Sequence, residues 1–132
     1  ADVLKPGNHG TTFGGNPLAM RAGIETLRIM EEDGLLANAA KVGAALRDGL
    51  ARELGGVHGV VEIRGQGLML GIELDRPCGE LLGRAADAGL MLSVTADRVI
   101  RLVPPLILTA DEAAQIVAIL CPLIKDFLKS PT

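Results

Sequence analysis

Residues 59–75, GVVEIRGQGLMLGIELD, carry apolar side chains at every second position, while the segments on either side repeat at helical spacing. Val61 and Ile63 alternate with Glu62 and Arg64; Leu68, Leu70, Ile72 and Leu74 then alternate with Met69, Gly71 and Glu73. A period of two places alternate residues on opposite faces of a strand. Gly65-Gln66-Gly67 separates the runs with turn residues, so the segment reads as an antiparallel hairpin with one apolar face. Such a face has to be covered by a second layer.

The rest of the chain supplies that layer. Asn16-Pro17 opens a helix, with Asn as N-cap and Pro at the first helical position, and Met20, Ile24 and Leu27 form its stripe up to Gly34. A second helix keeps Leu35, Ala39, Val42, Leu46 and Leu50 on one face and stops at Gly55-Gly56. After the hairpin, residues 78–88 return to helical spacing with Leu81, Leu82 and Ala85. Short strands follow at Leu90 to Val94 and Arg98 to Val103, the second halted by Pro104-Pro105. Thr109 to Glu112, TADE, is a capping box that starts the last helix. The order predicts an α+β fold: a small, mainly antiparallel sheet with helices on one face, preceded by a loop and a helix.

Composition narrows the possible functions. The 132 residues contain two phenylalanines and neither Trp nor Tyr, so the core is aliphatic and no aromatic platform exists for stacking bases. A formal charge of −3 without a basic stripe argues against nucleic acid as a partner. No apolar run approaches the ~20 residues that cross a bilayer, and no signal peptide is apparent, so no membrane partner is expected. Cys78 and Cys121 belong to no CxxC or Cys/His cluster. They read as small apolar residues of a reducing compartment, consistent with a cytoplasmic location, and no metal site is expected.

The chain shows no nucleophile elbow, and neither His9 nor His58 has metal-ligand spacing. Gly65-Gln66-Gly67 lacks the third glycine and the following helix of a dinucleotide fingerprint. The opening loop, HGTTFGGNPLA from His9 to Ala19, is different. Gly10, Gly14 and Gly15 let the backbone approach a ligand, Thr11 and Thr12 add hydroxyls, and a helix N-terminus follows. Together these favour an anion, most often a phosphate, although a glycine-rich connection that binds nothing has the same composition.

HGTTFGGNPLA, RGQGLMLGIEL (Arg64 to Leu74) and VIRLVPPLILT (Val99 to Thr109) occur in an order that resembles the class III, pyridoxal-phosphate-dependent aminotransferases. Within that family the GLMLGIEL wording is most similar to the acetylornithine aminotransferases of arginine biosynthesis. The resemblance implies a fold-type I enzyme, a homodimer that moves the terminal amine of N-acetylornithine to 2-oxoglutarate with pyridoxal 5'-phosphate as cofactor. It makes residues 1–33 the phosphate loop and linking helix from the large domain, and residues 34–132 the small C-terminal domain. The Schiff-base lysine of the family lies in a motif upstream of HGTTFGG. Lys5, in LKPGNHG, does not match that motif, so no catalytic residue is expected in this chain and the chain by itself is expected to be inactive.

By the same resemblance, Thr12 matches the threonine that binds the cofactor phosphate across the dimer interface, and Thr11 matches a position lining the substrate pocket. Arg101 matches an arginine that points to the active site and pairs with a glutamate or a substrate carboxylate. Without the resemblance, Arg101 reads equally well as an exposed strand arginine, and Arg64 as one partner of a structural ion pair at the hairpin. An alternative of a different class is a stand-alone α+β module that binds a ligand or dimerises for regulation.

Overall fold

The computed structural model describes Gly7 and residues 9–129; Lys5 lies outside them. The chain forms two compact units that divide after Gly34. In the first, the opening loop leads into α1 (Pro17–Glu32). Asn16 caps this helix, its Oδ1 accepting from the Ala19 N–H at 3.0 Å, and Pro17 takes the first turn, where a missing N–H costs nothing. Gly34, at φ +64, adopts the left-handed conformation that closes helices. No residue of α1 is buried, and Met20, Ile24 and Leu27 are exposed.

The second unit runs α2 (Leu35–Leu54), β1 (Val60–Gln66), β2 (Met69–Leu74), α3 (Leu81–Asp87), β3 (Ser93–Thr95), β4 (Val99–Leu102) and α4 (Ala110–Lys129). Its four strands form one antiparallel sheet in the order β1-β2-β4-β3. Helix α2 lies against β1 and β2, α4 against α2, and α3 against α4, so one face of the sheet is covered. This is the expected α+β architecture.

The alternation of the hairpin decides which face that is. Leu68, Leu70, Ile72 and Leu74 are all buried, and Leu70 and Ile72 lie opposite Leu102 and Ile100 of β4. Leu46, Leu50 and Leu54 of α2 and Leu120 and Ile124 of α4 close over them. The core contains no buried polar or charged residue among those described, and Phe127 is its only aromatic. Packing of this kind rests on aliphatic area removed from water. The capping box forms as the sequence predicts: the Thr109 N–H donates to Glu112 Oε2 at 2.8 Å, and the Glu112 N–H donates to Thr109 Oγ1 at 3.2 Å.

The hairpin differs from the sequence reading in two details. Its turn sits at Gly67-Leu68, because Gly65 and Gln66 stay in the ladder opposite Leu70 and Met69. Gly67 takes φ +55 at the first central position, where a left-handed glycine suits the twist of a two-residue hairpin. Gly65 is needed as glycine for a separate reason: at φ +148, a Cβ there would lie 2.1 Å from the Met69 carbonyl oxygen. The second difference is Val61, which is 59% exposed. A bulge between Val60 and Glu62 inserts it as an extra residue, and Val60 packs against the core instead. Elsewhere, Leu82 turns to the exposed side of α3, and the strand expected from Leu90 begins at Ser93.

Candidate functional site

The opening loop folds through its own side chains. Thr11 Oγ1 accepts from the Gly14 N–H at 3.0 Å, and a Cβ at Gly14 would lie 2.3 Å from Thr11 Cγ2. Asn16 closes the other end, with Nδ2 donating to the Phe13 carbonyl at 2.6 Å while Oδ1 caps α1. The hydroxyls of the two threonines therefore have different positions. Thr11 already accepts a hydrogen bond within the loop, whereas the Thr12 hydroxyl is exposed and has no partner among the described residues.

Gly10 and Gly15 have open space where a side chain would stand. A hydroxyl without a partner among the described residues, in a glycine-rich loop that leads into a helix N-terminus, fits the phosphate end of a cofactor such as pyridoxal phosphate as a neutral donor. It does not supply a cation, a lysine or an aromatic for the ring.

Arg101 belongs to the second unit, on the sheet face opposite the helices. Strand register places Arg64, Gly71, Arg101 and Ser93 in one row across β1, β2, β4 and β3. Gly71 leaves the middle of the row low. A groove of about 510 Å³ follows, bordered by Arg64, Met69, Gly71, Thr95, Val99 and Arg101. A second, of about 440 Å³, lies beyond Arg101 toward Leu90, Met91, Val103 and Ile116. Arg101 borders both.

The charges on this face are not equivalent. Arg64 Nη1 donates to Glu73 Oε2 and Glu62 Oε2, both at 2.7 Å, the ion pair expected at the hairpin. Glu73, followed by Glu62, raises the Arg64 pKa further above its already high ordinary value. Glu73 also pairs with Arg98 Nη2 at 3.0 Å. Arg101 makes no ion pair among the described residues; its Nε donates to Ser93 Oγ at 3.1 Å. A guanidinium without a carboxylate, beside an apolar groove, is suited to take a carboxylate from outside.

Thr11 and Thr12 thus share the loop of the first unit, and Arg101 stands in the second. The sequence reading did not single out Gly71 and Ser93 as members of the Arg101 row. Their signal is the strand register, which pairs 71 with 101 and 101 with 93. Neither residue is distinctive by type.

The model of the family described as Aminotransferase class-III matches residues 1–124. Acetylornithine aminotransferase 1 of Bordetella bronchiseptica is 62% identical over 128 residues, 97% of this chain and 33% of that enzyme. Acetylornithine aminotransferase of Bacillus subtilis is 45% identical over 117 residues, 89% of this chain and 30% of that enzyme. Among solved structures, acetylornithine aminotransferase from Elizabethkingia anophelis superposes with a TM-score of 0.81 at 33% identity, over 96% of this chain and 33% of that one.

The ornithine aminotransferase of Plasmodium yoelii gives a TM-score of 0.83 at 35% identity, over 94% of this chain and 34% of that one. The chain spans about a third of the length of the relatives it matches. With identity at this level and the family match running through both units, the chain belongs to the class III aminotransferases, a family of pyridoxal-phosphate-dependent transferases.

Proposed function

We propose that this chain is the C-terminal part of an acetylornithine aminotransferase, a homodimer that transfers the terminal amine of N-acetylornithine to 2-oxoglutarate. Residues 1–33 are then the phosphate loop and linking helix of the large domain, and residues 34–132 the small domain. The names of the sequence relatives support the choice of amino donor, and their greater length supports the assignment to one part of a larger enzyme.

In this reading Thr12 donates its hydroxyl to the cofactor phosphate of the neighbouring subunit. Thr11, whose oxygen holds the loop through the Gly14 N–H, lines the substrate pocket. When bound, the cofactor supplies the electron sink that transamination requires. Residues of this chain bind and orient; none of them moves the substrate proton.

The observation that carries the proposal is the Arg101 guanidinium, which stands on the open sheet face without a carboxylate partner among the described residues while Arg64 and Arg98 hold theirs. Both substrates present carboxylates, and a planar guanidinium binds a carboxylate through paired hydrogen bonds.

Arg101→Lys in the whole aminotransferase should therefore raise KM for the carboxylate substrates by about 10- to 100-fold while keeping the charge. Unchanged KM for both N-acetylornithine and 2-oxoglutarate would remove Arg101 from the site. Thr12→Val should weaken cofactor binding about ten- to 100-fold in equilibrium dialysis, the loss of one hydrogen bond to a charged acceptor. Residues 1–132 alone should show neither a lysine-dependent cofactor absorbance band nor turnover.

A further inference from the structure

We infer that Ser93 is a positioning residue for Arg101, one that fixes which edge of the guanidinium meets a carboxylate; the inference rests on the carboxylate role proposed for Arg101. Ser93 and Arg101 are direct partners across the β3–β4 pair. Arg101 Nε donates to Ser93 Oγ at 3.1 Å, and the same hydroxyl donates to the Arg101 carbonyl at 3.4 Å. Ser93 thus also makes a long, weak bond to the backbone of the residue whose side chain it holds.

A guanidinium has two edges that can grip a carboxylate through two parallel bonds, the Nη1/Nη2 end and the Nε/Nη side. Ser93 occupies Nε, which removes the side edge, while both Nη groups are without a partner among the described residues. Arg101 is left with its end edge, held in one orientation before substrate arrives. Among the described residues no acid competes for it, since Glu73 of the adjacent register row is engaged by Arg64 and Arg98.

The alanine variant loses this hold. A free arginine has many rotamers and must be ordered at the moment of binding, so affinity falls even though the charge remains. Ser93→Ala in the whole aminotransferase should raise KM for the carboxylate substrates, and Ki for a dicarboxylate competitor such as glutarate, by about three- to tenfold. The turnover number should change less than twofold, and cofactor affinity should not change.

Ser93→Thr keeps the hydroxyl in a residue suited to a strand and should restore both constants. On the protein itself, the Arg101 Nε–H signal in ¹⁵N-edited spectra should exchange more slowly than those of exposed arginines, and only Ser93→Ala should speed it to their rate. If the Nε–H signal and the glutarate Ki are the same in Ser93→Ala as in the parent, Ser93 positions nothing. If the Nε–H signal speeds up in Ser93→Ala while its glutarate Ki stays at the parent value, and Arg101→Lys also leaves KM and Ki alone, Ser93 does hold Arg101 and the carboxylate role of Arg101 is what fails.

Discussion

Burial pushes the Cys121 thiol up to about 11, with Glu53 adding to the shift, and raises the Cys78 thiol in the same direction. Both side chains lie in the core. A thiol reacts as its thiolate and only where a reagent can reach it. Neither cysteine should react with an aromatic disulfide reagent in the native protein at about pH 8, and both should react fully in denaturant; rapid reaction of either in the native state would show that the core opens. The sequence made this legible, because two isolated cysteines in aliphatic surroundings have little to do except pack. Arg64 and Arg101 are the contrary case. Each is an arginine on a strand, and the difference between them is the position of Glu73, which the register of three strands brings to Arg64 and Arg98. Residue type cannot convey that.

Two helices illustrate what an element owes to its ends and to its neighbours. The Thr109 N–H and then its hydroxyl hold the Glu112 carboxyl below its ordinary value. A carboxyl depressed in the folded state stabilises the fold above its unfolded pKa, and the contribution is lost as pH falls through the folded value. Glu112→Ala should therefore melt below the parent at neutral pH, with the gap narrowing on acidification to about pH 3. A gap independent of pH in thermal melts would show that the carboxylate contributes nothing.

In α2, a Cβ at Gly43 would lie 2.1 Å from the Gly67 carbonyl oxygen in the hairpin turn. Backbone meets backbone there, so Gly43→Ala should cost about 2 kcal/mol in urea unfolding, the range for overfilling a packed contact. Gly83→Ala in α3, where nothing stands within 4 Å, should instead stabilise by up to about 1 kcal/mol from helix propensity. The capping box could be read from TADE because its partners are three residues apart. The Gly43 contact could not, because its partner comes from another element.

At the scale of the molecule, the core cluster draws all its residues from the unit that begins at Leu35. Residues 35–132 should accordingly unfold in a single cooperative transition by calorimetry; a broad, non-cooperative melt would mean that the unit needs more chain to hold its packing. The α+β class, the one-sided sheet and the order of helices and strands were legible because periodicity and caps are local properties of the chain. So were the three motifs that resemble the family, since each is contiguous.

What only the tertiary structure decided is non-local. Strand register moved the turn to Gly67-Leu68, a bulge turned Val61 outward, and the order β1-β2-β4-β3 set Gly71 and Ser93 on either side of Arg101. Sequence alone determined which face of each element is apolar, because that depends on spacing along the chain. Which charged side chain is left without a partner depends on where distant strands align, and that alignment exists only once the core has closed.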